Sequence, residues 1–241
     1  RFYNSYATNA SSNEYSWSIE EYELLARINS IRYKDMLPAD KGARLLDIAC
    51  GAGHFLYFLQ KKAGFKNSEG IDISPEQIRI AKEAGISNLF LGDSIEHLRN
   101  NPNSYDLITA HHFIEHLTKD EVLDFLEGVM GALKNGGRII ITTGNVASLF
   151  GASHICADFT HEGGFTPRSF KQILKTIGFK EIEVRGIGPV PYDLKSRIRV
   201  ALWKSIRKVL TFYLTVEKGK GRTVEKGEYV LELDVLGTGV K

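Results

Sequence analysis

The sequence predicts a three-layer α/β fold built on a largely parallel sheet, and three observations carry that expectation. Short apolar runs alternate with helix-period segments along most of the chain. The first run, from Arg44 to Ala49, passes straight into Gly51-x-Gly53 and then into a helical pattern of Phe55, Leu56, Phe58 and Leu59. Carboxylates mark three successive strand ends: Asp47, Asp72 about 20 residues later, and Asp93 after a similar interval.

The elements follow in order. Residues 1–17 combine Asn, Ser and Tyr (Tyr3, Tyr6, Tyr15) with Phe2 and Trp17, and read as a polar arm with aromatic anchors. Such an arm serves either as a packed extension or as a lid that keeps water from a ligand. Ser18 and Glu21 form a capping box for an amphipathic helix running to about Leu37, where Pro38 stops it. Strands are expected at 44–49, 68–73, 88–92, 105–110, 137–143 and 180–187, with helices at 54–63, 75–84, 119–133 and 167–177. Ser74-Pro75-Glu76 is a helix start, Gly85 suits its end, and Lys134-Asn135-Gly136-Gly137 is a turn.

The C-terminal part has a different character. Residues 193–215 predict a long helix with Leu194, Ile198, Ala201, Leu202, Ile206, Val209 and Leu210 at helical spacing. Lys195, Arg197, Arg199, Lys204, Arg207 and Lys208 lie on it, with no acid from Lys195 to Lys208. The helix either packs its apolar side on the domain or meets an anionic membrane or substrate through 195–208. A Gly, Lys and Glu rich loop at 217–227 precedes a final strand at 228–236. The organisation is thus an N-terminal arm and helix (1–39), a main domain (40–187 and 228–241) and a basic helical insertion (188–227).

Composition sets bounds. With 43% hydrophobic residues, 241 residues can bury one sizeable core. A net charge of +2 is too small to argue for nucleic acid, and no such partner is expected. Cys50 and Cys156 provide no disulfide framework, and the chain opens without a signal-like apolar run. A cytoplasmic protein is expected, with peripheral contact at the inner membrane face through the basic helix. The chain opens on Arg1 rather than methionine, which leaves room for preceding residues. No stretch reaches the roughly 18 uninterrupted apolar residues of a membrane span. Nothing in the pattern indicates an oligomeric state.

Asp47-x-Ala49-x-Gly51-x-Gly53 resembles the first motif of the class I S-adenosylmethionine-dependent methyltransferases. Asp72 is similar to that family's ribose-binding acid, and Gly92-Asp93 to its adenine-edge motif. The likeness covers about residues 40–187. It implies a Rossmann-like seven-stranded sheet of order 3-2-1-4-5-7-6 with strand 7 antiparallel, and S-adenosylmethionine as cofactor. On this likeness Asp47, Ala49, Gly51, Gly53, Asp72, Ile73, Asp93, Ser94 and His111 would bind the cofactor. The segment Asp158-Phe159-Thr160-His161 with Phe165 to Ser169 is similar to methyltransferases of small molecules and bacterial surface glycans, which points to a sugar or glycan hydroxyl as acceptor.

An alcohol keeps its proton near neutral pH, so methylating one calls for a general base, for which histidine is suited. Five of the seven histidines, His111, His112, His116, His154 and His161, fall in two loops expected at the ends of the fourth and fifth strands. Helical spacing would pair 112 with 116 and 111 with 115. His161, which Asp158 and Thr160 could orient, is the first candidate base, followed by His111 and His112, with His116 and Glu115 also in the group. His154-x-Cys156-x-Asp158-x-x-His161 offers ligand types but matches no established metal spacing, and no metal site is assigned; an ion on Asp158 and Glu115 is the remaining metal reading. Cys50 is read as small-residue packing beneath the cofactor. Other readings are an amine or phenol methyltransferase, an inactive cofactor-binding module, and a dinucleotide-dependent oxidoreductase. Leu56, where that turn wants a third glycine, and Asp93 oppose the last of these.

Overall fold

The computed structural model describes residues 17–218 and 229–241. Helix α1 (Ile19–Arg32) is followed by β1 (Leu45–Ile48), α2 (His54–Tyr57), β2 (Ser68–Asp72), α3 (Pro75–Glu83), β3 (Leu89–Leu91), α4 (Ser94–Arg99) and β4 (Tyr105–His111). Then come α5 (Lys119–Ala132), β5 (Leu133–Gly144), α6 (Gly151–Ile155), α7 (Pro167–Ile177), β6 (Lys180–Gly186), α8 (Leu194–Lys218) and β7 (Asp234–Val240). The strands make one sheet of order β3-β2-β1-β4-β5-β7-β6. β1 lies parallel between β2 and β4, while β7 runs antiparallel to both β5 and β6.

Side-chain alternation along the central strands builds the layers, because successive residues of a strand face opposite sides. Leu46, Ile48, Ile108, Ala110, Ile139 and Ile141 pack with Phe125, Leu126 and Val129 of α5 and with Phe170 and Leu174 of α7. Leu45, Leu107 and Ile140 pack on the other face with Tyr22 and Ala26 of α1, Phe55 and Leu56 of α2, and Ile78 and Ala81 of α3. Each fully buried large apolar side chain contributes about 1.5–3 kcal/mol. The parallel strands β1, β2 and β4 all end on one side of the sheet, and the glycine turn follows β1 there.

Several local signals hold as read. Ser18 and Glu21 close a reciprocal capping box, Ser74 caps α3 with Pro75 in its first turn, and Gly85 follows α3 at φ +75°. Other boundaries move. α1 ends at Arg32 rather than Leu37, because Tyr33 turns inward and buries its ring against Phe55 and His111. The helix expected at 54–63 changes into a π-helical turn at Phe58–Lys62. β5 starts at Leu133, with Gly136 at φ +79° inside an irregular register with β4. Two short helices, α4 and α6, were not expected.

The largest shift concerns β7, expected at 228–236 and found at Asp234–Val240. The expected window alternates, with Tyr229, Leu231, Leu233 and Val235 at every second position, whereas the observed strand is buried almost throughout. The Asn145 amide donates to the carbonyls of Val230 and Glu232, holding that segment as a loop. Gly237 and Gly239 lie in the strand where a Cβ would strike Phe170 and Phe179. The lid reading of the arm at 1–17 lies outside the described residues except for Trp17, and the loop expected at 217–227 lies outside them except for its first two residues, which continue α8 to Lys218.

Candidate active site

The turn after β1 holds Ala49, Gly51 and Gly53 at φ +50°, +54° and +78°, a left-handed path that glycine adopts at least cost. The two glycines serve different ends. A Cβ on Gly51 would meet only the Gln77 Oε1 atom, at 3.9 Å, so this position leaves open space on the cavity side. A Cβ on Gly53 would strike Ile86, so that glycine answers to packing rather than to ligand approach. Cys50 is buried beside Gly70 and Leu56, and burial raises its thiol well above the ordinary value, which suits packing and not nucleophilic chemistry.

Asp72, at the end of β2, braces this turn from below. Its carboxylate accepts the Gly51 N–H at 2.8 Å and the Ser74 N–H at 2.7 Å. Burial raises its pKa, while the amides of Ser74, Gly51 and Ile73 act in the opposite direction. Asp93 caps α4 by accepting the Glu96 N–H at 2.8 Å, and it lines the same cavity as Asp72, Ile73 and Ser94.

Asp47 is buried in β1 and accepts a 2.6 Å hydrogen bond from the Thr109 hydroxyl. Burial pushes its pKa up to about 7, against the pull of Thr109 and with a smaller push from Asp72. The unfolded chain loses this proton near the ordinary carboxylate value of 3.8, the folded chain near 7. Between those values the folded state holds more protons, so this group's contribution to stability falls as pH rises through that window. Asp47→Asn should remove the effect. In urea unfolding across that pH range, the variant should gain on the wild type by on the order of a few kcal/mol, and a constant difference would refute the assignment.

Two adjoining cavities open at the strand ends. The larger, about 700 Å³, is bounded by Asp47, Gly51, His54, Arg32, Tyr33 and Asp234 among others, and the smaller, about 480 Å³, by Asp72, Asp93, Phe113, His116 and His161. Ala49, Gly51, Gln77, His111 and His112 border both, so the two form one crevice. Among the described residues, His54 Nε2, Gln77 Oε1 and His111 Nε2 are buried atoms on this crevice without a hydrogen-bond partner. Buried polar groups are normally satisfied, so these atoms together with the open wall at Gly51 fit a polar, nucleoside-sized ligand. Trp17, the one aromatic of the N-terminal arm within the described residues, lines the larger cavity and packs edge-on to His54.

The histidine loops depart from the pairing that helical spacing suggests. Residues Ile114–His116 form a 3₁₀ turn, which brings His112 Nδ1 to 3.0 Å from Glu115 Oε1 in place of a 112/116 or 111/115 pair. Burial lowers the His112 pKa, but the Glu115 contact outweighs it and the net shift is upward. Glu115 is buried and also accepts the Thr143 hydroxyl, and its backbone carbonyl accepts the amides of Glu162 and Gly163. It therefore positions His112 and ties the two loops together; it does not face the cavity as a base. His111 Nδ1 lies 3.1 Å from the Thr142 hydroxyl, and burial pushes its pKa down to about 3.

Asp158 and Thr160 orient His116, not His161 as expected. The Thr160 hydroxyl donates to Asp158 Oδ1 at 2.7 Å, so its oxygen accepts from His116 Nδ1 at 2.9 Å. His161 Nδ1 donates instead to the Ile155 carbonyl at 2.6 Å. In their neutral forms both rings therefore carry the proton on Nδ1 and the lone pair on Nε2. The rings meet edge to face at 4.6 Å on the wall of the smaller cavity. Burial, then the neighbouring His161, lowers the His116 pKa.

Among the described residues, His116, Asp158 and His161 have ligand atoms within 4.8 Å of one another, a grouping that the linear spacing did not reveal. The spaced motif around His154 does not gather: His154 Nε2 pairs with Asp234 at 3.2 Å, and Cys156 is exposed. Sequence reasoning also missed Arg32, Tyr33, Thr142 and Asp234. The first two lay within an overextended helix and Asp234 within a misplaced strand; His54, directly after Gly53, was missed as well.

The strand order with its antiparallel β7 is that of the class I S-adenosylmethionine-dependent methyltransferases. Residues 17–184 match the model of a family described as a methyltransferase domain, and the chain belongs to that family. It is an enzyme of this class, and S-adenosylmethionine is its cofactor. The chain is 24% identical over 195 residues to a ubiquinone biosynthesis O-methyltransferase of Aliivibrio fischeri, covering 73% of this chain and 81% of the relative. It is 29% identical over 150 residues to the ajmaline N-methyltransferase of Rauvolfia serpentina, covering 58% and 46%. A solved S-adenosylmethionine-dependent methyltransferase from Archaeoglobus fulgidus superposes with a TM-score of 0.64 at 24% identity, covering 91% of this chain and 94% of that one.

Proposed function

We propose that this methyltransferase acts on a hydroxyl oxygen of a small-molecule acceptor, with His161 as the general base and His116 beside it. The observation that carries the reading is the fixed tautomer of His161, whose Nδ1–H is held by the Ile155 carbonyl while Nε2 keeps a lone pair beside the crevice. His111, with a pKa near 3, is too weak a base, and His112 tends to hold its proton through Glu115.

In this reading Asp47, Ala49 and Gly51 form the floor for the methionine part of the cofactor, and Gly53 serves it only indirectly, by letting the turn close against Ile86. Asp72 accepts from the ribose hydroxyls, Ile73, Asp93 and Ser94 border the adenine, and His111 Nε2 offers a polar contact between the two parts. Bound S-adenosylmethionine supplies an already activated methyl group. The remaining work of the chain is to place the acceptor oxygen in line, within about 3 Å, and to receive its proton on His161.

Relatives named for O-methylation in ubiquinone biosynthesis support an oxygen acceptor. The sugar hydroxyl suggested by the 158–169 segment is the finer form of the proposal, and it rests on that sequence likeness alone. The donor set of His116, Asp158 and His161 favours a second reading, in which a divalent ion activates the hydroxyl. A screen of sugars, phenols and amines with methyl-labelled cofactor, with and without a chelator, separates these. The expected result is label on oxygen acceptors, undiminished by the chelator. Label on amines alone would refute the hydroxyl, and loss of rate restored by a metal ion would replace the base.

A further inference from the structure

We infer that α8 is an anchor that lies on an anionic membrane surface and sets the rim of the crevice against it. The 25-residue helix would span about 37 Å, and it docks on the domain by one narrow face only. On that face Ser196 is buried, Trp203 Nε1 donates to Glu232 at 3.2 Å, and Arg207 pairs with Glu232 at 3.4 Å. The apolar residues point elsewhere. Ile198, Leu202, Ile206, Val209, Phe212 and Val216 are 49–70% exposed, and at helical spacing they project into an arc of about 120° on the side turned away from Glu232. The sequence offered two fates for this apolar side, packing on the domain or meeting a surface, and packing does not occur among the described residues.

The charges select the occupant. Arg197, Lys204 and Lys208 border one edge of the apolar arc, and Lys195 and Arg199 the other, with no acid between Lys195 and Lys208. An apolar stripe between two basic borders matches the boundary between lipid headgroups and acyl chains, where the stripe is buried and the bases meet phosphates. A second copy of the chain would bring the same positive borders, whereas an anionic bilayer neutralises them. No helix among the described residues is long and apolar enough to cross a membrane, which leaves a surface-lying geometry.

The root of the helix is close to the site. The Ile187 amide donates to the Asp234 carbonyl at 2.9 Å, both residues line the larger cavity, and Glu232 lies two residues before Asp234. Docking α8 therefore brings the cavity rim to the lipid, within reach of acceptors dissolved in or tethered to it. That last consequence rests on the proposed methyl transfer; the anchoring does not.

The test is co-sedimentation of the whole chain with phosphatidylcholine vesicles, with and without phosphatidylglycerol, at rising salt. The wild type should bind the anionic vesicles and release steeply as salt screens the charges. Each basic contact removed should weaken binding about five-fold, so Lys204→Glu with Lys208→Glu should weaken it on the order of 25-fold or more. Leu202→Glu with Ile206→Glu should also abolish retention. Cofactor calorimetry and circular dichroism should be unchanged in both variants, which separates a failed anchor from a failed fold or a failed cofactor assignment. Retention of the apolar variant equal to that of the wild type would overturn the proposal. So would a wild-type dimer in sedimentation equilibrium that the apolar variant dissolves, since the face would then belong to a second copy.

Discussion

Replacing His161 with alanine should lower kcat by about 100-fold or more while leaving cofactor affinity unchanged. The ring stands on the wall of the smaller cavity, bonded through Nδ1 to a backbone carbonyl, so its removal takes away a proton acceptor and little of the framework. Added imidazole should restore part of the alanine variant's rate, a rescue that a merely structural role would not show. Rapid-quench turnover with labelled cofactor gives kcat, and calorimetry gives the affinity. A wild-type rate would move the role to His116, whose tautomer is fixed in the same sense by Thr160.

Asp72→Ala should cost still more, but in affinity. If the carboxylate accepts both ribose hydroxyls, two charge-assisted hydrogen bonds are lost at about 1.5–3 kcal/mol each, which corresponds to roughly 140- to 20 000-fold weaker cofactor binding. The structure adds a second reason for a large effect, since the same carboxylate holds the Gly51 and Ser74 amides and so sets the turn that the cofactor would rest on. Calorimetric titration with S-adenosylmethionine, alongside urea unfolding, divides the two contributions. Unchanged affinity would show that the crevice is assigned to the wrong strand ends.

Legibility in the sequence followed the range of the interactions involved. The glycine turn, the caps at Ser18 and Ser74 and the apolar runs of β1, β2 and β4 depend on residues within a few positions of one another, and all were readable. The β7 register was not. It depends on Asn145 gripping carbonyls 85 and 87 residues away, and on glycines whose purpose is visible only when Phe170 and Phe179 stand over them. The histidine loops show the same limit. Their gathering at one crevice was readable from the strand positions, whereas the partner of each ring was not, because the contact from His116 to Thr160 spans 44 residues.

Residue order and local pattern alone determine the succession of strands and helices, the Gly51-x-Gly53 turn and the position of Asp72 about one strand-helix unit later; the donor of the methyl group follows from the family resemblance that these residues carry. Local preferences of this kind persist along a chain whatever its distant parts do. Three-dimensional packing settles the rest: the split of the two glycines between cavity and core, the tautomers of His116 and His161, and the face of α8 that stays uncovered. Each of these turns on a contact between groups far apart in the sequence, and a periodicity of 2 or 3.6 shows which residues share a face without showing what that face meets.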